Sequence, residues 1–471
     1  MRAIAIPDHK SKTLKVRIGI ENKVWLLASV ILLSAAMGGC SKQSYPAEKL
    51  EHSLKEICRT EYGVEGVQVQ VVENTVGVYL PLEKLFANDF KEAVAKGKVK
   101  NIETLFEPSP EAMDKVEDVL FSISRVILST DLPLQFYTLQ ATDIESTGLQ
   151  LVLVGYVDDI KRVRVWDIPR SEYRKRVIHE LRLNQAVIWH KPVRKFFDDL
   201  VKLSKEQFKS KYTEGVLTPD ALEQVLHDVF PHDYVHGDFS KWEIQDIRST
   251  ELSQRSAVVY VKLKPALEGK EHQAASKQEP LEYLFVVSLQ AREGEISRII
   301  PFQFRNAEGI LEQIDFPEEL DIMENLSKWN SEFSVTPVSL GTFLAQQLTR
   351  RTQFLLAQDE RIRNTVREAK LEFEYVEGED PAHFALNLDA RLRYSDDYRT
   401  ESVVTHEDMR YLLELTSREF VEVLRSYGFG DYGYLQLNLV QDPNPWILGR
   451  EELELFRRKK IDMQTLLSSL I

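Results

Sequence analysis

Cysteine is nearly absent from this chain: 471 residues hold two, Cys40 and Cys58. Long apolar runs are scarcer still, with a single stretch, Val24 to Met37. Missing as well are a Gly-rich phosphate loop with a following lysine, a GxSxG elbow, a GxGxxG after a strand, and the CxxC and HExxH spacings of strong metal sites. These absences argue against a disulfide scaffold, a multi-span membrane protein and the common nucleotide-dependent or serine-hydrolase chemistries. A chain this long must cohere by apolar burial, which its size permits in two or three domains.

The one apolar run follows Arg2, Lys10, Lys12, Lys15, Arg17 and Lys23 and ends in Gly38-Gly39-Cys40. As a helix, fourteen residues rise about 21 Å, short of the roughly 30 Å of a bilayer core, so the segment reads as the apolar part of a secretion signal. The box MGGC resembles the processing site of bacterial lipoproteins, with Met37 where the family usually has Leu. That resemblance implies residues 1–39 as signal peptide, acylation of Cys40 and a lipidated tether over 40–45. Ser41 beside the cysteine resembles the outer-membrane sorting pattern, which implies a body held in the periplasm on a lipid anchor. Ordinary secretion and an uncleaved anchor stay open.

Removing residues 1–39 takes away 6 of 60 basic and 2 of 74 acidic residues and leaves a formal charge of −18. A polyanion is a poor general binder of nucleic acid, so none is expected as a partner. Cys58 falls in a helical pattern with Leu50, Leu54 and Ile57 and reads as a buried structural thiol.

Hydrophobic periodicity predicts an α+β, multidomain fold with helices packed on antiparallel sheets. Residues 46–165 read as helix, strand, strand, twice over, with a turn at Glu73-Asn74. Residues 338–445 repeat that grammar, and Tyr427-Gly428-Phe429 ends a helix as Tyr62-Gly63-Val64 does, which suggests related αββ units at the two ends. Between them lie a basic helical connector at 166–191, a region of two helices and four strands at 192–305, and a linker at 306–337; a helix or tail over 446–471 closes the chain. The order of the middle elements resembles the nuclear-transport-factor-two-like α+β cone. That resemblance implies a curved sheet round an apolar pocket, to which Trp242, Tyr260, Phe285 and Phe302 would contribute.

Three constellations are candidates for chemistry or binding. Residues 161–195 carry eleven basic against three acidic side chains, and Arg164, Arg170, Arg174, Lys175 and Arg176 form an anion- or partner-binding patch; the alternative is a charged face with VxVWDI alternating as a strand. HDVFPHDYVHGD supplies His227, His232 and His236 as candidate zinc ligands, although a solvated polar loop explains the same residues. Its His236-Gly237-Asp238 resembles the catalytic loop of aminoglycoside kinases, but Glu243 stands where that family has Asn. The acidic doublets Asp158-Asp159, Asp198-Asp199 and Asp396-Asp397 read as solvated pairs rather than an acid and a base.

No catalytic residue and no cofactor is expected. The reading that accounts for most of these features is a membrane-anchored, non-catalytic interaction or assembly factor of the cell envelope, with envelope proteins as partners. A carrier or sensor of an apolar ligand, and a metal-assisted hydrolase at residues 227–238, are the alternatives.

Overall fold

The computed structural model describes residues 46–86, 108–145, 148–213, 242–253, 255–265, 281–290, 293–301, 325–392, 407–440 and 444–468. It is an α+β protein built on three sheets. The first unit comprises α1 (Ala47–Tyr62), β1 (Gln68–Val72), β2 (Thr75–Leu82), α2 (Pro110–Ile127), β3 (Phe136–Asp143), β4 (Leu149–Tyr156), α3 (Val157–Arg164), α4 (Arg170–Arg176) and β5 (Ile178–Leu183). The middle unit has α5 (Gln185–Lys202), α6 (Lys205–Thr213), β6 (Trp242–Ser253), β7 (Ser256–Pro265), β8 (Leu281–Gln290), β9 (Glu293–Pro301) and β10 (Asn330–Ser331). The last unit has α7 (Leu340–Gln358), α8 (Glu360–Thr365), β11 (Val366–Val376), β12 (His383–Leu392), α9 (Glu407–Tyr427), β13 (Tyr434–Leu439), β14 (Trp446–Gly449), α10 (Arg450–Arg457) and α11 (Met463–Ser468).

Local chemistry sets the helix boundaries. In α1, Leu50, Leu54, Ile57 and Cys58 recur at helical spacing and are buried. Gly63 then takes φ +62°, the left-handed conformation that glycine adopts without strain, and Val64 N–H returns to the Cys58 carbonyl at 3.1 Å. Ser109 caps α2 by accepting from Ala112 N–H, with Pro110 at the first helical position; Ser339 caps α7 in the same way.

The first and last units share one topology. β1–β2 and β11–β12 are antiparallel hairpins, β3–β4 and β13–β14 are antiparallel pairs, and in each unit the two inner strands run parallel. The sheets are therefore mixed rather than wholly antiparallel. A helix between the two hairpins carries the chain back along the sheet before the next strand starts, so β2 meets β3, and β12 meets β13, in the same direction.

Packing is layered. α1 and α2 cover one face of the first sheet with Leu54, Val116, Val119 and Ile123 against Val78, Leu80 and Leu139. On the other face Phe136 and Ile178 join the core of the last unit, where the Phe136 ring lies 5.4 Å from that of Phe343 on α7. α9 packs on the third sheet, with Phe420 stacked 6.0 Å from Phe373. In the middle unit α5 lies on a sheet ordered β10-β6-β7-β8-β9, and Phe196 and Phe197 meet Phe285 edge-on at 5.5 and 5.7 Å.

Five boundaries differ from the sequence expectation. Residues 157–164 are helix, with Val157, Asp159 and Ile160 buried on one face and Asp158, Lys161 and Arg164 in solvent; the alternating VxVWDI stretch at 163–168 straddles the end of that helix instead of forming a strand. The stretch at 166–191 is not a helical connector throughout: 178–183 form the fifth strand of the first sheet, paired to β4 from Leu149–Leu183 to Val154–Ile178. α5 begins at Gln185, so Pro192 lies inside it. Burial of Trp189, Val193 and Phe196 along one face offsets the hydrogen bond that proline removes. Residues 446–449 are an edge strand of the third sheet, and 330–331 pair with β6.

Candidate functional site

The first and middle units meet at one carboxylate. Glu332 follows β10 and is 5% exposed. Its Oε1 lies 2.9 Å from His190 Nδ1 and accepts from Arg194 Nε at 3.0 Å; its Oε2 accepts from Arg194 Nη2 at 3.0 Å and from the Tyr79 hydroxyl at 3.1 Å. Asn184 Nδ2 donates to its carbonyl at 2.7 Å. Tyr79 stands on β2, His190 and Arg194 on α5, so one side chain ties the first sheet to the middle unit. Burial pushes the Glu332 carboxyl up, but the Arg194 charge and the hydrogen bonds from His190 and Arg194 reverse this and hold it well below the usual carboxylate range. Burial pushes the His190 imidazole down despite the carboxylate beside it. A carboxylate only accepts, so the neutral ring carries its proton on Nδ1, and Nε2 is buried without a hydrogen-bond partner.

Beyond Glu332 the chain runs as a strap across the first sheet. Gln140 Nε2 donates to the Ser334 carbonyl at 2.8 Å, Asn74 Nδ2 to the Val338 carbonyl at 3.2 Å, and Val338 N–H to Thr75 Oγ1 at 3.2 Å. Gly77 lets it lie close, since a Cβ there would overlap Val335 Cγ2 and crowd the Phe333 ring.

The strap covers β2 and β3 and leaves the β4–β5 side of that face open. What results is a groove of about 490 Å³. Its floor is Gln150, Val152, Glu180 and Arg182; Ser334, Thr336 and Pro337 of the strap, Asn184 and Gln185 before α5, and Thr342 and Gln346 of α7 make its walls. Amide and hydroxyl groups dominate, and the Arg182–Glu180 pair at 2.5 Å places both signs of charge on the β5 side of the floor. β5 is the edge strand, and among the described residues it pairs with β4 alone. Its last five residues are exposed, Leu181 at 42% and Leu183 at 54%. Open backbone, a polar trough and two exposed leucines on the opposite side chain phase suit an extended peptide better than a compact small molecule.

A second junction locks the first unit to the last. Arg176 Nη1 donates to Asp159 Oδ1 at 2.9 Å, both side chains being almost fully buried, and its Nε donates to Glu172 at 3.1 Å. Arg351 on α7 bridges Glu172 at 3.2 Å and Glu419 at 2.7 Å. Gln347 donates to the Arg176 carbonyl, Arg350 to the Val177 carbonyl, and Arg162 to the Ser426 carbonyl. The Arg176 guanidinium lies 4.7 Å from the Tyr427 ring centroid.

Among the residues singled out by sequence, Arg176 leaves the anion patch: at 4% exposed it serves the fold, because Asp159 and Glu172 compensate its charge internally. Arg164, Arg170, Arg174 and Lys175 are exposed, and Arg174 lies 3.8 Å from Glu117. Tyr260 and Phe285 do not share a face. Val259 is opposite Phe285 and Tyr260 opposite Leu284, so the alternation sends the tyrosine to the other side of the sheet, and Phe285 is filled against α5. Trp242 begins β6, with its side chain outside the described residues, where Cys40, His227, His232, His236 and Phe302 also lie. Cys58 is buried, and burial followed by the nearby Glu61 pushes its thiol up to about 11, which suits a structural role.

Sequence reasoning passed over Glu332, placed in a linker, and read His190 only as part of a connector. Nothing local marks them; their partners lie 138 to 253 positions away. Among the described residues no three His, Cys, Asp or Glu side chains group as a metal site requires, and no helix is long and apolar enough to cross a membrane. Comparison with protein-family models, curated proteins and solved structures finds no match.

Proposed function

We propose that this chain is a membrane-anchored envelope lipoprotein that acts without catalysis, as an interaction or assembly factor, by holding an extended segment of a partner protein along β5. The observation that carries this reading is the open β5 edge beside the polar groove. A partner strand laid on that edge would gain main-chain hydrogen bonds, place alternate side chains on Leu181 and Leu183, and direct the others towards Glu180, Arg182 and the amide-lined trough. The buried junctions at Glu332 and Asp159 support it by fixing the walls of the groove. Rigid walls reduce the ordering cost of binding. The anchor itself rests on the MGGC box and the basic, apolar segment before it.

Site-specific photo-cross-linking in native envelopes tests the proposal. A benzoylphenylalanine at Leu183 should form an adduct with one reproducible envelope protein, at an extended segment of that protein, and the same probe at the exposed Phe354 on α7 should not. Equal labelling from both positions, or none from Leu183, would count against a partner strand at this edge.

A further inference from the structure

Between α3 and α4 the chain projects Val165 and Trp166 into solvent, 72% and 89% exposed, and Trp166 adopts φ +62°, a conformation that is strained for a bulky side chain. Nothing in the fold uses this ring. The same short segment carries Arg164, Arg170 and Lys175, all exposed, which form no ion pair among the described residues, and Arg174, whose link to Glu117 is long. A flat exposed ring with one polar edge, in a segment that carries four exposed guanidinium and ammonium groups, has the chemistry of the bilayer interface, where tryptophan sits at headgroup level and cations meet phosphates.

The charge of this patch names its occupant, and the chain before α1 supplies a tether to it. Ala47 N–H, at the start of α1, donates to Asp131 Oδ1 at 2.9 Å. Four residues later Gln135, just before β3, accepts from the N–H of Val157, the first residue of α3, at 2.8 Å. The start of α1 and the start of α3 therefore share one end of the first sheet, and the turn follows α3 eight residues on. Cys40 is six residues before Pro46, and those residues span at most about 20 Å. A lipid on Cys40 would thus hold this end of the first unit against the membrane.

We infer that the Arg164–Lys175 turn is a membrane-facing surface, with Trp166 seated among the headgroups of an anionic bilayer and Arg164, Arg170 and Lys175 on its phosphates. This inference rests on the anchored reading but concerns a different contact. It would set the body on its side of the membrane at one orientation, leaving β5 to be reached from a fixed direction. The overall negative charge of the chain would oppose any other face lying down on the same bilayer.

The test uses the full chain as isolated from envelopes, in phosphatidylethanolamine–phosphatidylglycerol vesicles whose lipids carry bromine high in the acyl chain. Bromine quenches only tryptophan that enters the interface. The wild type should lose part of its emission on meeting these vesicles, Trp166→Phe should show no quenchable part, and the triple variant R164E/R170E/K175E, whose substitutions are all on the surface, should show severalfold less quenching. Emission that is unquenched in the wild type, or quenching that survives Trp166→Phe, overturns the inference. Intact mass at Cys40 is read on the same sample: an acylated chain with unquenched Trp166 removes this surface and keeps the anchor. An unmodified chain removes the anchored reading, while quenching on added vesicles still decides the surface.

Discussion

Arg194 and Glu332 meet as a two-pronged pair, each nitrogen 3.0 Å from its own carboxylate oxygen, although they are 138 residues apart and belong to different stretches of the chain. The pair closes the middle unit onto the strap that crosses the first sheet. Because Glu332 also receives Tyr79 and His190, its loss would leave three polar groups without their acceptor.

Glu332→Leu should therefore destabilise the protein by about 3 kcal/mol, the low end for breaking a buried pair, since the Arg194 side chain is 37% exposed and can turn to water. Urea denaturation followed by tryptophan fluorescence measures this. A midpoint within error of the wild type would mean that the strap is held by its apolar contacts instead.

Acid should weaken the same junction. Both groups have folded pKa values below their unfolded ones, 6.5 for the imidazole and 4.5 for the carboxyl, so the unfolded chain binds more protons and stability falls as pH falls. The contribution of His190 is complete above about pH 6.5 and declines below it; that of Glu332 declines below about pH 4.5. Melting temperatures taken from pH 7.5 to 5 should drop, and His190→Asn should flatten that drop by removing the titrating ring.

Gly77→Val should dislodge the strap without touching its charges, because the new side chain would occupy the space of Val335 and Phe333. Overpacking of this kind costs about 1–3 kcal/mol. Hydrogen exchange would find faster exchange at the Val338 amide, which donates to Thr75 in the wild type.

Cys40→Ala should release the protein from the membrane fraction and remove the acyl mass from the purified chain. Retention of the variant in washed membranes would assign the attachment to the uncleaved apolar run or to a partner.

Much of the architecture could be read from one dimension. Leu50, Leu54 and Ile57 declare a helix face, Glu73-Asn74 a hairpin, and the glycines after Tyr62 and Tyr427 two like helix stops, because these signals act over a few residues. So the α+β class and the αββ repetition at both ends were legible, and so was the strand series of the middle unit. β5 was not: its leucines and charges fit a helix equally well, and only pairing with β4 makes them a strand. Likewise the basic run gave no sign that Arg176 would turn inward while Arg164 stayed out, since Asp159 and the ring of Tyr427 reach it only through the fold.

Periodicity, caps and turns are short-range and reside in the sequence itself, and on them depended the class and the repeated unit; the expectation of an anchor at Cys40 came from an equally local signal, the MGGC box after a basic and then apolar segment. The groove, the edge strand beside it and the Glu332 junction arise where stretches far apart in the chain converge. Their partners are chosen by packing across more than a hundred residues, and only the tertiary structure decides which side chains meet there.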